Sequence, residues 1–167
     1  ASAVAGAAYI SRSAIELERE GTMFDFTRAH RHERLVADLG ISLPAGAPNR
    51  FGERGTLWNE VERVEKRDDA QLCRRIEWAL PDELTYDEKI ELAMRHVAQR
   101  VADGHVVDAC IHCNIDGTNW HVHELEPLRP VGEDGFLAKS ENVYLCRRAS
   151  GEERKANARE FAALRDE

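Results

Sequence analysis

A chain of 167 residues, 43% hydrophobic and 32% charged, can close one domain around a real core. It carries no apolar run of the roughly 18 residues that a membrane-crossing helix needs. A formal net charge of −8 argues against a general coat for nucleic acid, while leaving room for a local basic groove.

Four cysteines are too few for a disulfide scaffold, and no signal peptide is visible, so a cytosolic location is expected. The first residue is Ala1 and not Met, as in an excised fragment. Residues 2–19 read as a helix capped by Ser2, with alanines favouring it and Val4, Ala8 and Ile15 on an apolar stripe. Tyr9 sits in it among small neighbours, and Gly21 closes it. A short alternating piece, 24–27, leads to Arg28-Ala29-His30-Arg31-His32-Glu33-Arg34, the densest basic run. Standing alone, such a run is a solvated loop. Residues 35–43 read as a strand stopped by Pro44, and 44–55 as a Pro/Gly-rich loop.

Thr56 is the expected cap of a helix running to about Lys66, with Leu57, Val61 and Val64 inward; Asp68 and Asp69 break it. In 72–80, Leu72, Arg74, Ile76, Trp78 and Leu80 alternate with Cys73, Arg75, Glu77 and Ala79, a strand with one buried face. Thr85 and Glu88 form a capping box for a helix over 86–102, closed by Gly104. Two hairpin arms come next, 106–115 and 121–126. Pro127 and Pro130 end the sheet, 133–135 is a turn, and 143–146 is an expected edge strand. The charged stretch 151–167 reads as a tail, helical near 156–164, leading out of a domain over 1–150. The element order predicts an α+β fold, an antiparallel sheet with helices packed on it.

The hairpin carries the chemistry. Asp116-Gly117 is a two-residue turn signal, because a type I′ turn needs two residues that tolerate positive φ. With those residues at the tip, His112 faces His121 and Cys110 faces His123. His121 and His123 share a face because side chains alternate. Directly opposed Cβ atoms are about 5 Å apart, so three imidazoles converge on one patch, the geometry of a metal site. Three protein ligands leave positions open for water or substrate, and imidazole suits Zn, Mn, Fe, Co or Ni. A one-residue slip would undo the cluster. The competing alternative is a polar sheet face on which three histidines meet water or backbone. A zinc-finger pattern from Cys110, Cys113, His121 and His123 fails, because its gaps are too short and alternation separates the cysteines.

Several blocks together resemble the MobA/MobL-type (MobQ class) conjugative relaxases, whose nicking domain belongs to the HUH endonucleases. They are Ser2–Tyr9, Phe24–Arg28, Leu57–Glu62, Lys66–Leu72, Ile76–Leu84, His112, Asn119–His123, Leu128–Val131 and Glu133–Phe136. They cover most of 1–136 in the family's order. Where family members often read Asn-Pro-His-x-His, this chain has Asn119-Trp120-His121-Val122-His123. Glu124 stands where they place a hydrophobic residue, and Cys113 replaces a frequent acid. The family usually has a strand before the tyrosine helix. This chain begins after it, so a central strand is expected to be absent or supplied otherwise.

The resemblance implies that Tyr9 is the nucleophile, that His112, His121 and His123 hold a divalent metal, and that Glu77 is an acid near the active site. Mg or Mn is the expected ion, with Zn, Co and Ni compatible. Arg12, Arg28, Arg31, Arg74 and Arg75 are DNA-contact candidates from charge and place. The implied activity is nicking and religation of one strand at a plasmid transfer origin, through a 5′-phosphotyrosyl intermediate. The implied partners are single-stranded origin DNA, other relaxosome proteins and a type IV coupling protein, in the bacterial cytoplasm. Two other readings compete: a rolling-circle replication initiator of the same chemistry, and a non-catalytic, metal-stapled DNA-binding module in which Tyr9 is core.

Overall fold

Ser2 opens the first helix, α1 (Ala3–Ser11), its hydroxyl accepting from the Ala5 amide at 3.2 Å. The computed structural model describes residues 2–67 and 69–139; the expected edge strand at 143–146 and the expected tail at 151–167 lie outside them. Helix α1 buries Val4, Ala7, Ala8 and Ile10. It stops eight residues short of the expected end, because Arg12 turns left-handed at φ 49, ψ 44. The chain then enters a hairpin of β1 (Ala14–Leu17) and β2 (Thr22–Asp25). Ile15 and Leu17 are buried at a spacing of two, the period of a strand. Gly21, at φ 61, lies in the turn of that hairpin and does not end a helix.

The central sheet contains β3 (Glu33–Ser42), β4 (Cys73–Ala79), β5 (Val107–Asn114) and β6 (Trp120–Pro127). Its order is β3-β5-β6-β4, and every pairing is antiparallel. The sheet is continuous, with β5 and β6 directly paired in its middle. The strand that the resemblance expects before α1 therefore has no slot between the described strands. Strand β3 begins two residues earlier than expected and is bulged twice, at Val36 and Leu39. Gly40, at φ 71, accommodates the second irregularity.

A short 3₁₀ turn, Asn49–Gly52, precedes α2 (Arg54–Val64). Glu53 caps α2 in place of Thr56: its carboxylate accepts from the Gly55 amide at 2.8 Å and the Thr56 amide at 2.5 Å. Helix α3 (Tyr86–Ala102) starts on the Thr85–Glu88 capping box. Beyond the sheet, β7 (Val131–Gly132) and β8 (Gly135–Phe136) form a small hairpin about Glu133 and Asp134. Helices α1 and α2 and the β1–β2 hairpin cover one sheet face, with Ile10, Leu17, Leu57, Trp58 and Leu125 in the core. Helix α3 covers the other face, against Ile111, Val122 and Leu80.

Two polar contacts fix α2, and through it α1. The carboxylate of Asp108 on β5 is fully buried; it accepts from Arg54 Nε at 2.9 Å and from Trp58 Nε1 at 2.9 Å. The same guanidinium forks onto Asp38 of β3. Glu62 of α2 accepts from the Ser2 hydroxyl and the Ala3 amide, each at 2.7 Å, so it caps α1 from outside. Removing one partner of a buried ion pair leaves the other charge uncompensated, typically at about 3–5 kcal/mol. Arg54→Met is therefore expected to destabilise the fold by about that amount, read as a lowered urea midpoint at unchanged slope.

Candidate functional site

The β5–β6 register places Cys110 opposite His123 and His112 opposite His121, the expected pairing. The turn that delivers it differs from the expected one. Strands close at Asn114 and Asn119 around a four-residue loop, 115–118. Gly117 has φ 77, while Asp116 does not enter the left-handed region, so the turn is not type I′. The Asn114 side chain shapes the loop by accepting from the Thr118 amide at 2.9 Å and the Asn119 amide at 3.1 Å. This loop is centred on the same Asp116-Gly117 pair, so the register is the same.

The three histidines are buried and stand ring against ring, with centroids 4.6 to 6.0 Å apart. A fourth group, which spacing along the chain does not predict, completes them. Glu33, the first residue of β3 and opposite Asn114, lies on the same sheet face. Glu33 Oε1 is 2.9 Å from His112 Nδ1 and 3.6 Å from His123 Nε2, and Oε2 is 2.9 Å from His121 Nε2. Among the described residues this is the one group of His, Cys, Asp or Glu able to hold a metal ion, with its four ligand atoms within 4.8 Å of one another.

The hydrogen bonds of the rings suit a cation. His112 Nε2 is 2.6 Å from the Ile10 carbonyl and His121 Nδ1 is 3.2 Å from the Asn119 carbonyl. A carbonyl only accepts, so those nitrogens donate, and a neutral ring then turns its lone pair toward Glu33. Lone pairs facing a carboxylate at 2.9 Å need positive charge between them. A proton or a bound cation can supply it. Burial, and then the neighbouring His112, push His123 down to about 4, so that ring stays neutral and free to ligate. Both nitrogens of His123 are buried without a hydrogen-bond partner among the described residues. For Glu33, burial acts upward, but the Tyr9 hydrogen bond, and that of His112 when its ring carries a proton on both nitrogens, outweigh it and hold the carboxyl below its ordinary range.

Tyr9 enters from α1. Its hydroxyl donates to Glu33 Oε1 at 2.7 Å, and its ring packs edge-on to Phe26 and His123. Burial, and then the hydrogen bond to Glu33, raise its pKa. Arg12, one turn on, donates to Glu33 Oε1 at 2.8 Å and to the Tyr9 carbonyl at 2.8 Å, with its guanidinium 4.2 Å from the Tyr9 ring centroid. These contacts compensate its left-handed backbone, an uncommon state outside glycine.

The other candidates fall in three places. Glu77 lies opposite His123 on β4, its Oε2 3.6 Å from His123 Nδ1 and its side chain 58% exposed, at the rim of the cluster. Arg75 shares that face and lies against α1, where a Cβ on Gly6 would stand 3.0 Å from its guanidinium. Arg28 and Arg31 are exposed on the loop leading into Glu33. Arg74 points to the α3 face and donates to the buried Glu126 at 2.9 Å, away from the histidines.

Glu33 is hidden in the sequence because it stands inside a basic run. The contact that recruits it spans 79 residues to His112, a pairing that no local spacing reveals. A lone acid at the junction of a basic loop and a strand is the one signal the sequence offers.

Fold and site together define an α+β domain in which a histidine–carboxylate cluster on a sheet meets a tyrosine from an overlying helix. The chain belongs to the MobA/MobL family, whose model matches residues 1–166. It is 37% identical over 168 residues to the conjugal transfer protein TraA of Agrobacterium fabrum, covering 90% of this chain and 14% of that protein. It is 32% identical over 130 residues to a probable mobilization protein MobA of Bifidobacterium longum, covering 77% of this chain and 22% of that one. Its structure is similar, at a TM-score of 0.77 and 30% identity, to a solved chain from work on the molecular basis of vancomycin resistance transfer in Staphylococcus aureus. That match covers 96% of this chain and 80% of the other. The chain thus spans about one seventh of the TraA relative's length.

If the histidines form one site, isothermal titration with Mn²⁺ should find one ion per chain, and His121→Ala should weaken it by orders of magnitude. His96→Ala should bind as wild type does, since His96 lies on α3 against Glu124. Equal binding by wild type and the triple alanine variant at 112, 121 and 123 would end the metal reading.

Proposed function

We propose that this domain nicks and rejoins one DNA strand at a plasmid transfer origin, using a divalent metal and a 5′-phosphotyrosyl intermediate. The observation that carries the reading is the Tyr9 hydroxyl, directed at a carboxylate that three buried histidines surround. A tyrosine serving only the core would not bring its hydroxyl to that cluster, which weighs against the non-catalytic module. A rolling-circle initiator would share the chemistry; the conjugal-transfer and mobilization relatives favour transfer.

His112, His121 and His123 would hold the ion, with Mg or Mn preferred and Zn, Co or Ni compatible. Bound there, it would offset the charge that develops on the phosphoryl oxygens. Tyr9 Oη attacks phosphorus in line, forming a P–O bond as the bond to the 3′ oxygen breaks. The strand keeps a free 3′-hydroxyl, and its 5′ phosphate stays on Tyr9. Because the Tyr9 phenol is held protonated, its proton must leave as the bond forms, along the hydrogen bond to Glu33 Oε1 and from there to solvent, while the departing 3′ oxygen takes a proton from solvent to become the hydroxyl. Arg12 keeps the Tyr9 ring and Glu33 in place, and Glu77 adds negative charge at the rim beside His123. The reverse attack by a 3′-hydroxyl religates the strand with no outside energy source.

Arg28 and Arg31 on the loop before Glu33, with Arg75 across the sheet, would hold the backbone of single-stranded origin DNA. Other relaxosome proteins and a type IV coupling protein would join in the bacterial cytoplasm. Among the described residues no helix is long and apolar enough to cross a membrane.

Tyr9→Phe is expected to abolish covalent capture of the DNA 5′ end while leaving metal and DNA binding intact. Peptide mapping of the adduct formed with labelled single-stranded origin DNA should find the nucleotide on the Tyr9 peptide; undiminished cleavage by Tyr9→Phe would refute the assignment. Affinity for single-stranded DNA should fall as salt rises. Replacing Arg28, Arg31 and Arg34 together should flatten the log–log slope by about 0.7 for each phosphate no longer neutralised. An unchanged slope would place the three on an idle surface.

A further inference from the structure

Glu33 does more than a simple acceptor for Tyr9 requires. Its Oε1 receives the Tyr9 hydroxyl and the Arg12 guanidinium and also lies 2.9 Å from His112 Nδ1 and 3.6 Å from His123 Nε2, whereas Oε2 meets only His121 Nε2, at 2.9 Å. A carboxylate oxygen has two lone-pair sites, so Oε2, with His121 as its one neighbour, retains capacity that the crowded Oε1 lacks. We propose that Glu33 is a fourth protein ligand of the metal, bound through Oε2, while Oε1 keeps the Tyr9 hydroxyl. One carboxylate thereby joins the ion to the nucleophile. The proposal rests on the metal reading above and extends it.

Three observations support it. First, metal bonds of about 2.1 Å place neighbouring donor atoms roughly 3.0–3.4 Å apart. The Glu33 carboxylate stands near that separation from all three rings, Oε2 at 2.9 Å from His121 Nε2 and Oε1 at 2.9 Å from His112 Nδ1 and 3.6 Å from His123 Nε2. Second, charge requires it. The Arg12 Nη2 atom is 3.5 Å from His112 Nδ1, so a dication held by neutral imidazoles alone would face a guanidinium with nothing between them. The Glu33 carboxylate occupies that gap, 2.8 Å from Arg12 Nη2. Third, the carboxylate is placed before any ion arrives. Its position is set by β3–β5 pairing, by Tyr9 and by Arg12, and its side chain is only 16% exposed. A preplaced carboxylate raises affinity for hard divalent ions above that of a three-imidazole set. Four protein ligands still leave open positions in a six-coordinate ion for a phosphate oxygen.

The test uses Zn²⁺ alone, with no DNA and no activity. In the full chain labelled at the glutamate carboxyl and tyrosine ring carbons, one equivalent of Zn²⁺ should shift both the Glu33 carboxyl and the Tyr9 ring resonances. Glu33→Gln, nearly isosteric, should lose about ten-fold or more in Zn²⁺ affinity and should leave the Tyr9 resonance unmoved on titration. Tyr9→Phe should bind Zn²⁺ as wild type does. Equal Zn²⁺ affinity for wild type and Glu33→Gln, with a stationary Glu33 carboxyl resonance, would overturn the proposal and leave a three-histidine site. Failure of wild type to bind more tightly than the triple histidine variant would instead remove the metal reading itself, and this proposal with it. Should Glu33→Gln not fold, the wild-type carboxyl resonance decides alone.

Discussion

Because side chains alternate along a strand, the register of β5 against β6 decides whether three imidazoles share one face or divide between two. That pairing holds the molecule together in a wider sense as well. It puts Ile111 and Val122 against α3 and Cys110 and Leu125 under α1, so one register serves both cores. A slip by one residue would turn the apolar side chains of both strands onto the wrong layers.

The same two central strands carry an unusual load of buried charge. Asp108 is fully buried on the histidine face, and Glu124 and Glu126 are fully buried on the α3 face. Asp108 is answered by Arg54 and Glu126 by Arg100 and Arg74, while Glu124 Oε1 accepts from Trp78 Nε1 at 2.8 Å. Burying such pairs gains little net stability over apolar packing. Here each acid has its partner on a different element, so the pairs act as register marks. In a shifted register Asp108 and Glu126 would be buried without their cations, at roughly several kcal/mol each, and Glu124 would lose its indole donor.

Much of this is legible in the sequence where the signals are local. The capping box of α3, the alternation of β4 and the hairpin of β5 and β6 each arise from residues a few positions apart. The hairpin shows why a correct conclusion can survive an inexact premise: Gly117 alone has positive φ in the loop, yet the longer loop keeps the same centre. Helix α1 is shorter than its sequence suggests because neither Gly nor Pro marks its end. Arg12 breaks it with a left-handed backbone supported by Tyr9 and Glu33, contacts that only the folded site supplies. Glu33 is invisible for the same reason, since its partners Tyr9 and His121 lie 24 and 88 residues away. The tyrosine and histidines are readable from spacing and resemblance. The carboxylate between them emerges only from tertiary pairing.

Helix α1 has a further consequence, a mechanical one. It is nine residues long, gripped at its start by Glu62 and at its end by Arg12. A load applied at Tyr9 would act on this helix near its last turn. An isolated helix of that length frays easily, but here tension at Tyr9 would pass through Arg12 and Glu33 into β3, and through Glu62 into α2. Strand β3 is hydrogen-bonded along its length to β5, so the force would be shared across a ladder of bonds in shear. The clamp at both ends lets a short, otherwise marginal helix bear load without unwinding.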